Sequence, residues 1–106
     1  MRKGSSQELI LGCHLSIGKG FSAAIDAAER LGNNALQVFS HNASAWKMKP
    51  IDPQAAEAFQ KRLASSSLCY VVIHTMYLLN LATPDDSLFE RSVAALIEEV
   101  SRAATL

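Results

Sequence analysis

The feature of this chain that most constrains its fold is a regular alternation of short apolar runs with longer helical stretches. The apolar runs cover residues 9–14, 35–39 and 68–73. The third run is apolar at nearly every position and shows no alternation of polar and apolar side chains. Such a run is typical of a strand covered on both faces, as in a parallel sheet. The pattern therefore predicts three parallel strands.

Three helical stretches follow these strands. Gly32 comes just after the first, where a helix end favours a residue that can adopt positive φ. The second is predicted to begin at Asp52 and Pro53, because aspartate caps free N–H groups and proline fits the first helical position. The third is predicted to begin at Thr83, as an N-cap, and Pro84. Its apolar stripe is predicted to consist of Leu88, Phe89, Val93, Leu96, Ile97 and Val100.

The predicted order is β-α-β-α-β-α, which indicates parallel strands joined by right-handed crossovers. Two architectures have this order, an open doubly wound sheet and a segment of a (β/α)₈ barrel. Three units cannot close a barrel by themselves, and a three-stranded sheet has two open edges. We expect a polar N-terminal tail over residues 1–8 and one domain of three βα units over residues 9–106.

Composition narrows the function classes. The chain has 106 residues, 49% of them hydrophobic, which fits one domain with a core. Its formal net charge is zero, so any nucleic-acid contact must come from local placement of charge, not from a strongly basic surface. Cys13 and Cys69 form no CxxC pattern, and no signal-length or membrane-length apolar stretch is present. We therefore expect a cytoplasmic protein without a disulfide framework or a membrane partner.

Each of the three histidines lies at the carboxyl end of a predicted strand, where parallel α/β folds place their active sites. His14 ends the first strand, His41 follows the second, and His74 ends the third. Imidazole is the commonest metal ligand, so all three are candidate residues of the rim. Two alternatives remain open: His14 could bind a loop carbonyl, and His41 could be solvated. His74 is the strongest candidate, because it directly follows a buried strand.

Two loops carry further candidates. Residues 75–81 are unusually apolar for a loop at an active-site rim. They could pack under the third helix, or Tyr77 and Leu78 could form a wedge that enters a base stack. Trp46 lies in the long loop after the second strand, where it could stack on a base or pack against the protein.

Three motifs in order resemble one family. The first is Gly-Cys-His-Leu-Ser at residues 12–16, followed by glycines at 18 and 20. The second is Leu-Gln-Val-Phe-Ser-His-Asn at residues 36–42, with Trp46 after it. The third and most specific, at residues 73–81, contains a His-x-x-Tyr-Leu-Leu-Asn-Leu signature. Together they resemble endonuclease IV, over about the first third of a family member.

The resemblance implies a (β/α)₈ TIM barrel with a cluster of three zinc ions. The implied activity is hydrolysis of the phosphodiester 5′ to an abasic site in double-stranded DNA. It further implies that His74 is a zinc ligand and that this chain holds at most one such ligand. The DNA-binding positions it implies are Tyr77, Leu78, Asn42 and Ser44. It assigns no catalytic residue within the chain.

The sequence departs from the family pattern at two loop positions. Ser44 stands where well-known members carry a DNA-inserting arginine, and His41 stands where a lysine is common. The other zinc ligands of the family lie in later strands. We therefore expect a fragment or truncated product that does not cleave DNA by itself. Two alternatives remain: a metal-dependent sugar isomerase or epimerase, and a non-catalytic remnant that self-associates through open sheet edges.

Overall fold

The computed structural model describes residues 9–106, which form three consecutive βα units. The predicted tail, residues 1–8, lies outside the described residues. The strands and helices alternate along the chain as predicted. Their bounds are β1 Gly12–His14, α1 Phe21–Arg30, β2 Ala35–Phe39, α2 Pro53–Ala64, β3 Tyr70–His74 and α3 Asp86–Thr105.

The three strands form one parallel sheet in the order β1-β2-β3, as predicted. His14 pairs with Gln37 at the end of β1, and Phe39 pairs with His74 at the ends of β2 and β3. This register brings the carboxyl ends of all three strands to one edge of the sheet. We call that edge the rim, and it carries the loops after β1, β2 and β3.

The first strand is shorter than predicted because a side chain replaces part of the backbone pairing. Strand β1 begins at Gly12, not at residue 9. The side-chain oxygen of Asn34 accepts a hydrogen bond from Leu11 N at 2.7 Å, and its amide donates to Leu9 O at 2.9 Å. Residues 9–11 are thus held by Asn34 without joining the sheet ladder.

The helix caps follow the predicted chemistry, with one change of position. Asp52 caps α2 by accepting a hydrogen bond from Gln54 N at 3.1 Å, and Gly32 adopts φ 76° after α1. Thr83 is not the N-cap of α3, as was predicted; Asp85 is, and it accepts from Leu88 N at 3.0 Å. Aspartate is at least as good a cap as threonine, so the helix begins later.

The core lies on one face of the sheet. Its buried residues come from α1, β2, α2 and the segment before β3: Ala24, Ile25, Ala28, Leu36, Val38, Phe59 and Leu68. The other face is bare, with Tyr70 46% and Val72 50% exposed. The prediction that the third strand is covered on both faces is therefore wrong for this chain, because only Val71 and Ile73 of that strand pack against the core.

Helix α3 buries a polar stripe and exposes part of its apolar one. Its buried residues are Ser92, Ala95, Glu99 and Arg102. Phe89, Ile97 and Val100, predicted to be buried, are 44%, 66% and 63% exposed. The polar side chains of this stripe form hydrogen bonds with the loops after β2 and β3, whereas no described element covers the exposed apolar ones. Neither α3 nor another helix within residues 9–106 is long and apolar enough to cross a bilayer.

Arg62 joins α2 to α1. Its guanidinium donates to Asp26 Oδ1 at 2.9 Å and also to Glu29. Glu29 accepts a further hydrogen bond from Ser67 N at 3.0 Å. The Arg62 hydrogen bond, and after it the Ser67 bond, lowers the pKa of Glu29 below its usual value. The carboxylate therefore keeps its charge into mild acid and holds the end of α2 against α1.

Gly12 in β1 leaves no room for a side chain beside β2. A Cβ at this position would lie 2.1 Å from the carbonyl oxygen of Ala35 and 2.5 Å from its carbonyl carbon. Both atoms belong to a paired strand and cannot move without breaking the register. We expect Gly12→Ala to lower the free energy of urea unfolding by about 2–3 kcal/mol.

Gly18→Ala is the matched control, because its Cβ would meet only the Ser16 hydroxyl at 3.1 Å, a side-chain atom that can shift slightly while still accepting from Gly18 N. The control is expected to change the unfolding free energy by no more than about 0.5 kcal/mol. Equal effects of the two substitutions would contradict the close approach at Gly12.

Candidate functional site

Two histidines and a phenylalanine meet at the rim. The ring of Phe39 contacts both imidazoles, with centroid distances of 4.5 Å to His14 and 5.1 Å to His74. The two imidazole centroids are 6.0 Å apart. The parallel register places these side chains together, since β1, β2 and β3 each end at this edge. The structure thus brings His14 and His74 into one cluster, as the sequence predicted.

The hydrogen bonds of His74 define which ring nitrogen is available. Its Nδ1 contacts the carbonyl oxygen of Thr75, which can only accept, so Nδ1 carries the proton and donates it. Nε2 then has a free lone pair on an exposed residue. A backbone carbonyl that fixes the tautomer in this way is the usual arrangement for an imidazole metal ligand. His14 instead has Nδ1 3.0 Å from Gln37 Nε2.

The described residues do not assemble a metal centre by themselves. Within residues 9–106, no group of three or more His, Cys, Asp or Glu side chains is placed to hold a metal ion. His74 fits a zinc ion as a single ligand, and a stable zinc site needs three or four. Further ligands would have to come from outside this set of residues.

A groove of about 690 Å³ opens beside the histidine cluster. It runs between the loops after β1 and β2 and reaches the loop after β3. Its described lining contains no acidic side chain. Among the residues that line it are His14, Ser16, His41, Asn42, Ser44 and Tyr77.

The candidate DNA-binding positions lie at this groove or beside it. Asn42 and Ser44 form a local turn, in which Asn42 Oδ1 accepts from Ser44 N at 3.1 Å and from Ser44 Oγ at 2.7 Å. In the loop after β3, Met76 is buried, Tyr77 is 66% exposed and Leu78 is half-buried. The packing interpretation of residues 75–81 holds for Met76, which is buried, while Tyr77 projects outward and its role as a wedge stays a prediction.

Trp46 packs against the protein. The guanidinium carbon of Arg91 lies 4.3 Å from the centroid of the Trp46 ring, a cation–π contact between the β2–α2 loop and α3. The packing interpretation of Trp46 is confirmed by this contact. One face of the indole is covered by Arg91, and a stacking role for Trp46 stays a prediction.

A buried polar cluster lies beneath the rim, and sequence reasoning missed it. We call Ser40, Glu99 and Arg102 the Glu99 cluster. Ser40 Oγ donates to Glu99 Oε1 at 2.6 Å and accepts from Arg102 Nε at 2.9 Å. Arg102 also donates to the carbonyl oxygens of Ser40 and Lys49. The spacing of Ser92, Glu99 and Arg102 along one helix face was the available signal, and the apolar stripe beside it concealed it.

His41 belongs with this cluster. Its side chain is 6% exposed, and Nε2 lies 3.4 Å from Glu99 Oε2. The interpretation of His41 as a solvated loop residue is therefore wrong. Neither ring nitrogen has a hydrogen-bond partner of good geometry among the described residues. The long β2–α2 loop folds back over the end of α3 and encloses the imidazole.

Comparisons with known proteins agree with this arrangement. Residues 25–106 match the model of the xylose isomerase-like TIM barrel family. The chain is 40% identical to a probable endonuclease 4 of Chloroflexus aurantiacus over 95 residues, which are 90% of this chain and 33% of that protein. It is also 40% identical to a probable endonuclease 4 of Methanoculleus marisnigri over 98 residues, which are 92% and 35% of the two chains.

A solved structure leads to the same result. The crystal structure of endonuclease IV from Thermus thermophilus matches 90% of this chain with a TM-score of 0.83 and 37% identity, over 36% of its own chain. The predicted resemblance to endonuclease IV and the predicted partial barrel are both confirmed. The chain spans about a third of the length of the relatives it matches.

Proposed function

Because the chain belongs to the xylose isomerase-like TIM barrel family, we propose that it forms the opening part of a DNA-repair endonuclease of the endonuclease IV type. The proposed reaction is hydrolysis of the phosphodiester 5′ to an abasic site in double-stranded DNA. One observation carries the proposal: a metal-competent His74 and an exposed Tyr77 stand at the same rim, three residues apart. A DNA substrate also agrees with the cytoplasmic location predicted from the sequence.

The groove supplies the proposed DNA contacts. Tyr77 is exposed enough to enter a base stack at a missing base, with Leu78 beside it. The side-chain amide of Asn42 can donate to phosphate oxygens along the groove, and Ser44 orients it by donating its N–H and its hydroxyl to Asn42 Oδ1. The serine is shorter than an arginine and uncharged, so this loop positions the backbone without inserting into the helix.

His74 is the proposed zinc ligand, and further ligands would come from later strands of a complete barrel. Zinc, when bound, supplies a hydroxide near neutral pH and stabilises charge on the attacking and leaving oxygens. The residues of this chain orient the proposed ligand: the Thr75 carbonyl fixes the tautomer of His74, and Phe39 packs against the His74 ring. We assign no catalytic residue within the chain.

A sugar isomerase or epimerase is the second candidate, because its barrel would share the same family description. Such an enzyme has no need of an exposed aromatic side chain poised to enter a base stack. The exposure of Tyr77 and the endonuclease relatives favour the DNA substrate.

The DNA proposal predicts that Tyr77→Ala weakens binding to an abasic duplex by about tenfold, since one aromatic–base stack is lost. Leu78→Ala is expected to cause a smaller loss. The measurement is fluorescence anisotropy with a labelled abasic duplex and an intact duplex as the reference. Phe89→Ala is the matched control, because Phe89 is a 44% exposed aromatic residue on α3, and it should leave affinity unchanged. Unchanged affinity in both rim variants would favour the sugar enzyme.

The zinc proposal predicts weak, saturable zinc binding by the 106-residue chain, through Nε2 of His74. Zinc titration followed by the ¹⁵N shifts of the imidazole nitrogens should move His74 in the wild type, and His74→Ala should abolish the saturable binding. His14→Ala is the control and should retain it. We expect no cleavage of abasic DNA by this chain alone, and zinc-dependent incision at the rate of a complete relative would contradict the assignment.

We further propose that this chain self-associates in isolation. The bare sheet face and the exposed α3 stripe present apolar surface, and β1 and β3 are open edges. Sedimentation should show the apparent mass rising with concentration, and Val100→Glu should shift the chain toward monomer. Leu31→Glu is the control, because Leu31 has the same exposure of 63%, and this substitution should leave the association unchanged. A stable monomer at all concentrations would overturn this proposal.

A further inference from the structure

Glu99 is the one carboxylate in the described chain that touches two rim loops, those after β2 and β3. We propose that Glu99 is a positioning residue that holds these two loops in register, and that His41 is its proton-dependent counterion. The link to DNA binding rests on the proposed function. The link between the loops stands on geometry alone.

Each oxygen of Glu99 binds a different loop. Oε1 accepts from Ser40 Oγ at 2.6 Å, at the start of the β2–α2 loop. Oε2 accepts from Met76 N at 2.8 Å, in the loop after β3. Met76 directly precedes Tyr77, and Ser40 precedes His41 and the turn at Asn42. The carboxylate therefore sets the spacing between the two proposed DNA-binding segments.

Two basic side chains lie near this carboxylate, one with a permanent charge and one that is charged only when protonated. Arg102 is fixed, and reaches Glu99 through the Ser40 hydroxyl. His41 is variable, with Nε2 3.4 Å from Glu99 Oε2. The other titratable groups on its groove side are His14 from β1 and Tyr77 from the loop after β3. Only imidazole ordinarily changes charge between about pH 5 and pH 8, so His14 needs a control.

Protonation of His41 strengthens its contact with Glu99. The imidazolium faces a carboxylate in a buried space, where a charged pair interacts more strongly than at the surface. The neutral ring offers only a 3.4 Å contact to Glu99, and neither of its buried nitrogens has a hydrogen-bond partner of good geometry among the described residues. The β2–α2 loop then packs less firmly on Glu99, and Glu99 grips Met76 N less firmly. Low pH should thus tighten both loops together.

Amide hydrogen exchange of Met76, measured by NMR on the full chain, tests the proposal. In the wild type, the protection factor of Met76 N–H, corrected for the intrinsic pH dependence of exchange, should fall about three- to tenfold from about pH 5 to pH 8. His41→Lys keeps a cation throughout this range, so its protection should not change with pH. Glu99→Gln should show low protection without pH dependence.

His14→Gln is the control for the other groove histidine and should keep the wild-type slope. A flat wild-type profile, or a His41→Lys profile with the wild-type slope, would overturn the proposal. The comparison of wild type with His41→Lys decides the matter even when Glu99→Gln fails to fold.

A second measurement separates the loop coupling from the DNA function. Affinity for an abasic duplex, compared with His41→Lys at each pH, should fall about two- to fivefold more in the wild type as pH rises. A pH-dependent protection of Met76 with no binding of abasic DNA would support the positioning role and overturn the proposed function. A Met76 protection factor that does not change with pH, in a chain that binds abasic DNA, would overturn the positioning role and support the proposed function.

Discussion

The attachment of α3 to the rest of the fold depends on the buried bonds of Glu99, Ser40 and Arg102. The helix buries these polar groups while Ile97 and Val100 remain exposed, so apolar burial contributes less to its docking than usual. A buried charged group is tolerated only when it is fully paired, and losing one partner typically costs about 3–5 kcal/mol. The Glu99 cluster therefore fixes where α3 docks, since the Arg102 guanidinium must donate to the carbonyl oxygens of Ser40 and Lys49 at once.

An incomplete barrel imposes the second constraint. Helices supplied by three βα units cover one sheet face, and the other face of β3 is left bare at Tyr70 and Val72. In a closed barrel that face points into a packed interior, filled by side chains from the remaining strands. The exposed stripe of α3 has the same origin, because a following unit would lie against it. The apolar surface that these three units leave exposed is therefore the surface that a complete barrel would cover.

The sequence predicted the elements that local chemistry determines. The cap at Asp52 and the turn at Gly32 follow from single residues, and the parallel order follows from the alternation of elements. The third helix was predicted less well, because Phe89 and Ile97 form an apolar pattern whose burial depends on neighbours that this chain does not provide. The partners of Glu99 lie 59 and 23 residues away in sequence, so no local pattern could reveal them.

The candidate site shows the same division. His14 and His74 could be placed from the rule that parallel strands end at one edge, and their rings do meet, each also in contact with Phe39. His41 could not, because its burial depends on the long loop folding back onto α3. That fold brings the imidazole to 3.4 Å from a buried carboxylate, whereas an exposed loop would leave it in solvent. Among the described residues that line the groove, none is a lysine or an arginine, and Asn42 and Ser44 bring only neutral groups. His41 faces the Glu99 carboxylate at 3.4 Å, so the loop after β2 presents a hydrogen-bonding surface to the groove and not a cationic one.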